Sequence, residues 1–243
     1  MIYFVIPAYN EEANVGVLLR ETHAFMTAHG LSYRAIVVDD GSSDATGDVV
    51  RQCAHELPCE LVSYRPNRGV GEAFRQGLHQ TLRSAKQGDW IVTKEADRTS
   101  DLNILPQLLD KVRGGSDLAL ASCYAPGGGV EGAGPFRLVI SRCANILIGS
   151  LFHLKGVHTY SSFYRVYRPE ALRRLLAHYG DFYEEKGFAC MIELLVRSAK
   201  LGLRIEEVPM KLVSGRRVGK SKMKVARTTL DYFRVIRRNL FHR

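Results

Sequence analysis

The sequence predicts an α/β protein whose central sheet is mostly parallel, with helices on both faces. Three observations carry this reading. Over residues 1–125, short apolar runs alternate with stretches of helical periodicity, as consecutive crossover units require. The runs are bounded by Asp, Gly and Pro, which stop strands and open turns. The 243 residues, 46% hydrophobic and 24% charged, can bury a full core, which excludes disordered, collagen-like and coiled-coil chains.

Residues 2–6 form an apolar run that ends at Pro7 and reads as a buried strand. Val15, Leu18, Leu19, Thr22, Phe25 and Met26 then recur at helical spacing until Gly30. Residues 35–38 are a second strand, stopped by Asp39-Asp40-Gly41, and residues 44–57 are helical. A third strand over 60–64 precedes a helix over 71–84, and a fourth strand over 90–93 precedes a helix over 104–112. Residues 118–122 are the fifth strand. Gly69, Gly71 and Gly77 follow the third strand with the wrong spacing for a dinucleotide fingerprint, so they are assigned to helix packing. Beyond residue 125 the alternation weakens. Residues 126–129 read as a flexible loop, 136–152 as a helix and 162–167 as a strand, with Pro169 in the first turn of the next helix. A helix over 190–201 and a strand over 203–213 follow, the latter an edge or bulged strand because it contains Pro209.

Charge divides the chain at Ser214-Gly215. Residues 214–243 hold ten Lys or Arg and one acid, Asp231, whereas the rest balances 24 bases against 24 acids. The expected organisation is a domain over 1–213 and a basic segment over 214–243. Basicity confined to a tail suggests phosphates or a membrane surface as partner, and not nucleic acid. In that tail Ala226, Leu230, Phe233, Ile236 and Leu240 recur at helical spacing, as do Lys224, Arg227, Asp231, Arg234 and Arg238. The pattern predicts an amphipathic helix with a mostly basic face, suited to a bilayer surface, the preceding domain or a membrane-embedded partner. No run of 18 apolar residues is present, and the first residues lack the basic lead-in of a secretory signal. The five cysteines form no Cys-x-x-Cys pair and the eight histidines have no metal-ligand spacing, so a reducing compartment is expected.

Ligands of such sheets bind beyond the carboxyl ends of the strands. Acids cluster there: Glu11 and Glu12 after the first strand, Asp39, Asp40 and Asp44 after the second, Glu95 and Asp97 after the fourth. Carboxylates on one edge repel unless a cation joins them, which predicts Mg2+ or Mn2+ together with a polyphosphate.

Ile6-Pro7-Ala8-Tyr9-Asn10-Glu11-Glu12 and Val37-Val38-Asp39-Asp40-Gly41-Ser42-Ser43-Asp44 resemble the opening of inverting family-2 glycosyltransferases of the GT-A fold, with its Rossmann-like nucleotide-binding half. Tyr124-Ala125-Pro126-Gly127-Gly128-Gly129-Val130, Tyr164-Arg165-Val166-Tyr167-Arg168 and Arg216-Arg217-Val218-Gly219-Lys220-Ser221-Lys222-Met223 narrow the resemblance to dolichyl-phosphate mannosyltransferases and related polyprenyl-phosphate glycosyltransferases. The resemblance implies transfer of a sugar from a nucleotide-diphosphate sugar to a lipid phosphate, on the cytoplasmic face of a membrane. It implies that Pro7, Tyr9, Glu11, Val38 and Asp40 line the nucleotide, and that Glu95, Ala96 and Asp97 stand at the Asp-x-Asp position, with Glu95 and Asp97 holding the metal. Arg216 and Lys222 would neutralise phosphates, Arg216 with a catalytic role, and Arg137 and Ser141 match the acceptor-phosphate region. The chain departs from the pattern at Lys94, Glu95, Cys123, Thr159 and Phe163. Cys123 stands where an Arg is usual and Thr159 where an Asp is. The alternatives are a family-2 enzyme with a hydroxyl acceptor, and a membrane-associated nucleotide-binding protein without turnover.

Overall fold

The computed structural model describes the backbone of residues 1–243 apart from 153, 155, 220, 221, 224, 242 and 243. Side chains are described apart from those and 135–137, 225, 226 and 241. The elements run β1 (Ile2–Ala8), α1 (Glu12–Ala28), β2 (Tyr33–Asp39), α2 (Thr46–Cys53), β3 (Cys59–Ser63), α3 (Val70–Ser84), β4 (Trp90–Thr93), α4 (Leu105–Arg113), β5 (Leu118–Ser122), β6 (Gly129–Glu131), α5 (Pro135–Phe152), β7 (Arg165–Tyr167), α6 (Pro169–Tyr179), α7 (Cys190–Lys200), β8 (Ile205–Pro209), β9 (Lys211–Val213) and α8 (Val225–Phe241).

Seven strands form one sheet in the order β3-β2-β1-β4-β7-β5-β8. The first four are parallel, with Ile2 opposite both Tyr33 and Trp90. This is the half that the opening alternation predicts. β7 runs antiparallel to both β4 and β5, and β8 pairs parallel with β5. A second sheet of β6 and β9 stands apart. The expected loop over 126–129 thus ends in a short strand, and the expected strand over 203–213 is two, broken at Met210 between the two sheets.

β1 is buried along its whole length because helices cover both of its faces. Tyr3 and Val5 join Phe74 and Leu78 of α3 and the apolar sides of α6 and α7. Ile2, Phe4 and Ile6 point the other way, onto Val15, Leu18 and Leu19 of α1 and Leu105 and Leu108 of α4. Gly77 lets α3 lie directly on β1: a Cβ there would stand 2.4 Å from Val5 Cγ1. The packing assignment of that glycine is therefore correct. Pro106 and Pro169 sit in the first turns of α4 and α6, where a missing N–H leaves nothing unpaired.

α8 docks through Thr228, Asp231, Val235, Ile236 and Asn239, all buried. Glu193 of α7, fully buried, fastens it. Its carboxylate accepts from Arg238 at 3.3 Å, pairs with Arg197 at 2.8 Å, and takes the backbone N–H groups of Glu184 and Glu185. Leu230, Phe233 and Leu240 face solvent instead, beside Arg227, Arg234 and Arg237. The two periodic stripes read from the tail are thus divided differently: Ile236 docks inward but Leu230, Phe233 and Leu240 do not, and Asp231 leaves the basic stripe for the interface. Buried hydrogen bonds to α7 and its preceding loop favour a polar docking face, which apolar periodicity cannot register.

Candidate active site

The loop after β4 builds the acidic end of the site. Arg98 adopts a left-handed conformation (φ 64°) and turns the chain back. Thr99 then donates its N–H and its hydroxyl to Asp97 Oδ1 at 3.0 and 2.7 Å. Asp97 is buried, and its other oxygen, Oδ2, contacts the Arg217 guanidinium. Ser100 Oγ donates to Glu95 Oε2 at 3.2 Å, and Ala96 between the two acids is buried. Lys94 lies behind the loop with its ammonium 2.7 Å from the Ser100 carbonyl and 4.9 Å from the centre of the Tyr164 ring. Burial pushes its pKa down to about 8, against the pull of Glu95 and Asp101. The loop is tied to β9 by the Val213 N–H, which donates to the Thr99 carbonyl.

At the ends of β1 and β2 the acids turn inward. Asp40 accepts from Asn67 Nδ2 at 2.8 Å and from the N–H groups of Arg68 and Gly69 at 2.8 and 2.9 Å. Burial raises its pKa, with these donors opposing. Asp39 Oδ1 accepts from Ser42 N, and Gly41 makes the turn between them at φ 73°. Glu11 accepts from Asn14 Nδ2 at 2.7 Å and from Lys222 Nζ at 2.6 Å. Asn14 also exchanges two hydrogen bonds with the backbone of Val218. The basic segment therefore reaches both the Asp97 loop and the end of β1.

Glu95 and Asp97 line a cavity of about 220 Å³ that continues between α5 and α8, past Leu138, Ile148, Phe163 and Tyr232. Ser141 and Arg217 line it as well. Of the residues predicted from the sequence, the structure brings Glu95, Asp97 and Ser141 to this cavity. Lys222 and Glu11 meet beside it. Val38 is packed in the core, Pro7 is buried in β1, Tyr9 is exposed, and Arg216 is exposed in the turn after β9. Arg137 is in the first turn of α5, and its side chain lies outside the described residues. Arg217 and Asn14 were not assigned to the site from the sequence, and Lys94 was marked only as a departure from the pattern. The tandem Arg216-Arg217 carried a signal for one inward cation, but spacing alone could not choose between the two.

Cys123 and Thr159 also meet here. Thr159 Oγ1 is 3.9 Å from Cys123 Sγ and 2.7 Å from Ser122 Oγ, and it accepts from Tyr124 N. Burial raises the Cys123 pKa.

Parallel strands in 3-2-1-4 order, an acid pair beyond β4 and a cavity leading away from it define a glycosyltransferase of the GT-A class. The chain belongs to the Glycosyl transferase family 2, which its residues 3–176 match. It is 35% identical over 222 residues to the polyprenol monophosphomannose synthase of Mycolicibacterium smegmatis, covering 90% of this chain and 79% of that protein. It is 32% identical over 220 residues to the undecaprenyl-phosphate mannosyltransferase of Micrococcus luteus, covering 90% and 86%. With the dolichol-phosphate mannosyltransferase of Pyrococcus furiosus it shares 28% identity over 236 residues, 96% of this chain and 62% of that one. Among solved structures, glucosyl-3-phosphoglycerate synthase from Mycobacterium tuberculosis in complex with Mn2+, UDP-glucose and phosphoglyceric acid superposes with a TM-score of 0.69 at 21% identity, over 99% of this chain and 78% of that one.

The donor set at the acid pair fits a hard divalent ion. Glu95 and Asp97 offer carboxylate oxygens only, and among the described residues no group of three or more His, Cys, Asp or Glu forms a complete cage. One or two carboxylates with substrate phosphates and water filling the other positions is how Mg2+ is ordinarily held beside a polyphosphate. That Asp97 Oδ2 already contacts a guanidinium marks it as a cation-facing oxygen.

Proposed function

We propose that this glycosyltransferase moves one sugar from a nucleotide-diphosphate sugar to a polyprenyl phosphate, with inversion, at a membrane surface. One observation favours a phosphate acceptor over a hydroxyl. Among the described residues lining the cavity there is no His, and no carboxylate besides Glu95 and Asp97. A sugar hydroxyl needs a placed base to take its proton. A phosphate monoester, with a second pKa of about 6, is already largely an anion at neutral pH and needs none. The names of the three relatives support the same acceptor class, and make mannose the first sugar to test.

In this reading Glu95 and Asp97 hold Mg2+ or Mn2+, which when bound neutralises the donor's diphosphate and helps the nucleotide leave. Thr99 fixes the Asp97 carboxylate and Ser100 fixes that of Glu95, so both present oxygens without further rearrangement. Tyr9 and Glu11 serve the nucleotide, with Pro7, Val38, Asp40 and Ala96 shaping the strand ends beneath it. Asp40 does so by holding the 67–69 loop. Arg216, Arg217 and Lys222 supply cations for phosphate oxygens. Ser141 and Arg137 receive the acceptor's phosphate, and the apolar cleft between α5 and α8 takes the start of its lipid chain.

No helix among the described residues is long and apolar enough to cross a membrane. The route to a lipid substrate is therefore read from surface chemistry. Leu230, Phe233 and Leu240 of α8 and Val139, Ile146 and Leu147 of α5 are exposed, and Arg227, Arg234 and Arg237 accompany the former. Apolar side chains among arginines suit the headgroup region of an anionic bilayer, here on its cytoplasmic face. The test is a mass-detected transfer assay with several nucleotide sugars and a short polyprenyl phosphate, with and without Mn2+. Metal-dependent glycosylation of the lipid phosphate is expected. Transfer to a hydroxyl acceptor alone, or donor binding without transfer to either acceptor, would refute the reading.

A further inference from the structure

Asp97 has two carboxylate oxygens, and the fold treats them differently. Oδ1 is occupied by the hydroxyl and N–H of Thr99, a residue of the same loop. Oδ2 meets Arg217, and both residues line the cavity. A guanidinium and a divalent ion drawn to that one oxygen repel each other, so each weakens the other's hold on it.

Arg217 is not at rest on Asp97 in the way a structural ion pair is. Its Nε is buried and has no hydrogen-bond partner among the described residues. A buried N–H without an acceptor is destabilising. A second anion entering beside it would satisfy this donor. The backbone next to Arg217 is fixed independently of the contact, since Val218 exchanges two hydrogen bonds with the buried Asn14. Release from Asp97 therefore needs only a side-chain swing within the cavity that Arg217 already lines.

We propose that Arg217 is a two-position cation: it caps Asp97 while the donor is absent, and transfers to a phosphate group of the donor when metal and nucleotide enter together. The proposal rests on the reading of Glu95 and Asp97 as metal ligands. Its consequence is coupling. Metal alone displaces Arg217 without bringing a phosphate to receive it. Metal accompanied by a diphosphate gives it one, so each ligand strengthens the other's binding. The acid pair is thereby kept from collecting divalent ions unproductively.

The experiment is a Mn2+ titration of the purified protein followed by electron paramagnetic resonance of the free ion, without nucleotide and with UDP or GDP. For the wild type, weak binding of Mn2+ alone and tighter binding with a nucleoside diphosphate are expected. Arg217→Gln is expected to bind Mn2+ alone about tenfold more tightly, as loss of a half-buried competing charge implies, and to lose most of the enhancement by nucleotide. Lys211→Gln removes one positive charge from β9 outside the cavity, and is expected to change Mn2+ affinity by less than about twofold, since that charge is exposed and screened. Circular dichroism confirms that each variant is folded. Arg217→Gln with unchanged or weaker affinity for Mn2+ alone, while Asp97→Asn loses it, overturns the two-position role and leaves the metal assignment intact. Asp97→Asn that binds Mn2+ like the wild type overturns the metal assignment and the proposal with it.

Discussion

Replacing Glu193 by Ala tests how firmly α8 is held. The wild-type carboxylate is fully buried and is shared by Arg197, Arg238 and two backbone N–H groups. Its removal leaves the Arg197 side chain, 7% exposed, without its closest carboxylate partner, and the Arg238 guanidinium with Glu184 alone. Losing one member of a buried ion pair costs about 3–5 kcal/mol, chiefly because the stranded charge cannot reach water. For a chain of this size each kcal/mol lowers Tm by about 2–4 °C, so the melting temperature should fall by roughly 6–20 °C. Glu193→Gln keeps an oxygen for the N–H groups and should cost about 1–3 kcal/mol. The assay is thermal denaturation followed by circular dichroism, with nucleotide binding and sugar transfer measured below the transition. Because α8 lines the part of the cavity proposed to take the acceptor, transfer should fall further than donor binding. An Ala variant melting within about 2 °C of the wild type would show that this network contributes no more than a surface ion pair does.

Other outcomes are expected. Asp97→Asn should reduce transfer by about 100-fold or more through loss of the metal-facing charge, in a variant still folded by circular dichroism; full activity would exclude the metal role. Gly77→Ala places a methyl 2.4 Å from Val5 Cγ1 and should lower stability by about 1–3 kcal/mol in urea denaturation. Lys111 and Ser116 hold the Glu206 carboxyl down at about 2, below its ordinary 4.5. A carboxylate depressed by folding stabilises above its unfolded pKa, and that contribution fades as pH falls from about 4.5 toward 2. Glu206→Gln should therefore be less stable than the wild type at pH 6 and nearly equal to it at pH 2, by urea midpoints. Leu230→Ser with Phe233→Ser should weaken co-sedimentation with anionic vesicles by at least about tenfold while leaving nucleotide binding intact.

The parallel half of the fold was legible element by element, although the helix expected over residues 44–57 ends at Cys53. The strand assigned to residues 90–93 is β4 and that over 118–122 is β5, because a strand covered on both faces must be apolar throughout. β7 was seen as a strand, but its antiparallel insertion between β4 and β5 follows from where a long connection returns, which local periodicity does not encode. Glu95 and Asp97 were singled out because they follow a strand end and stand at the Asp-x-Asp position of the family that the sequence resembles. Asp40 looked equivalent to them in sequence. It differs because the N–H groups of Arg68 and Gly69, almost thirty residues away, claim its oxygens. Arg217 and Arg216 are neighbours with one chemistry, and only the turn after β9 decides which points inward.

Two of the chain's departures from the expected pattern turn out to be neighbours. The Arg expected in place of Cys123 and the Asp expected in place of Thr159 carry opposite charges, and the residues that stand there are 3.9 Å apart. Losing both leaves the local charge balance unchanged, whereas losing either alone would strand a buried ion. In the proposed reading, phosphate neutralisation then falls on the remaining arginines and Lys222.

Between the parallel strands that end at β4 and the β5–β8 pair, the sheet is continuous only through the three residues of β7, in which Arg165 is wholly enclosed. Such a narrow seam is where one flank would part from the other under load. Amide exchange at Arg165, Val166 and Tyr167 thus offers a direct gauge of whether the two flanks breathe together or separately while the catalyst turns over.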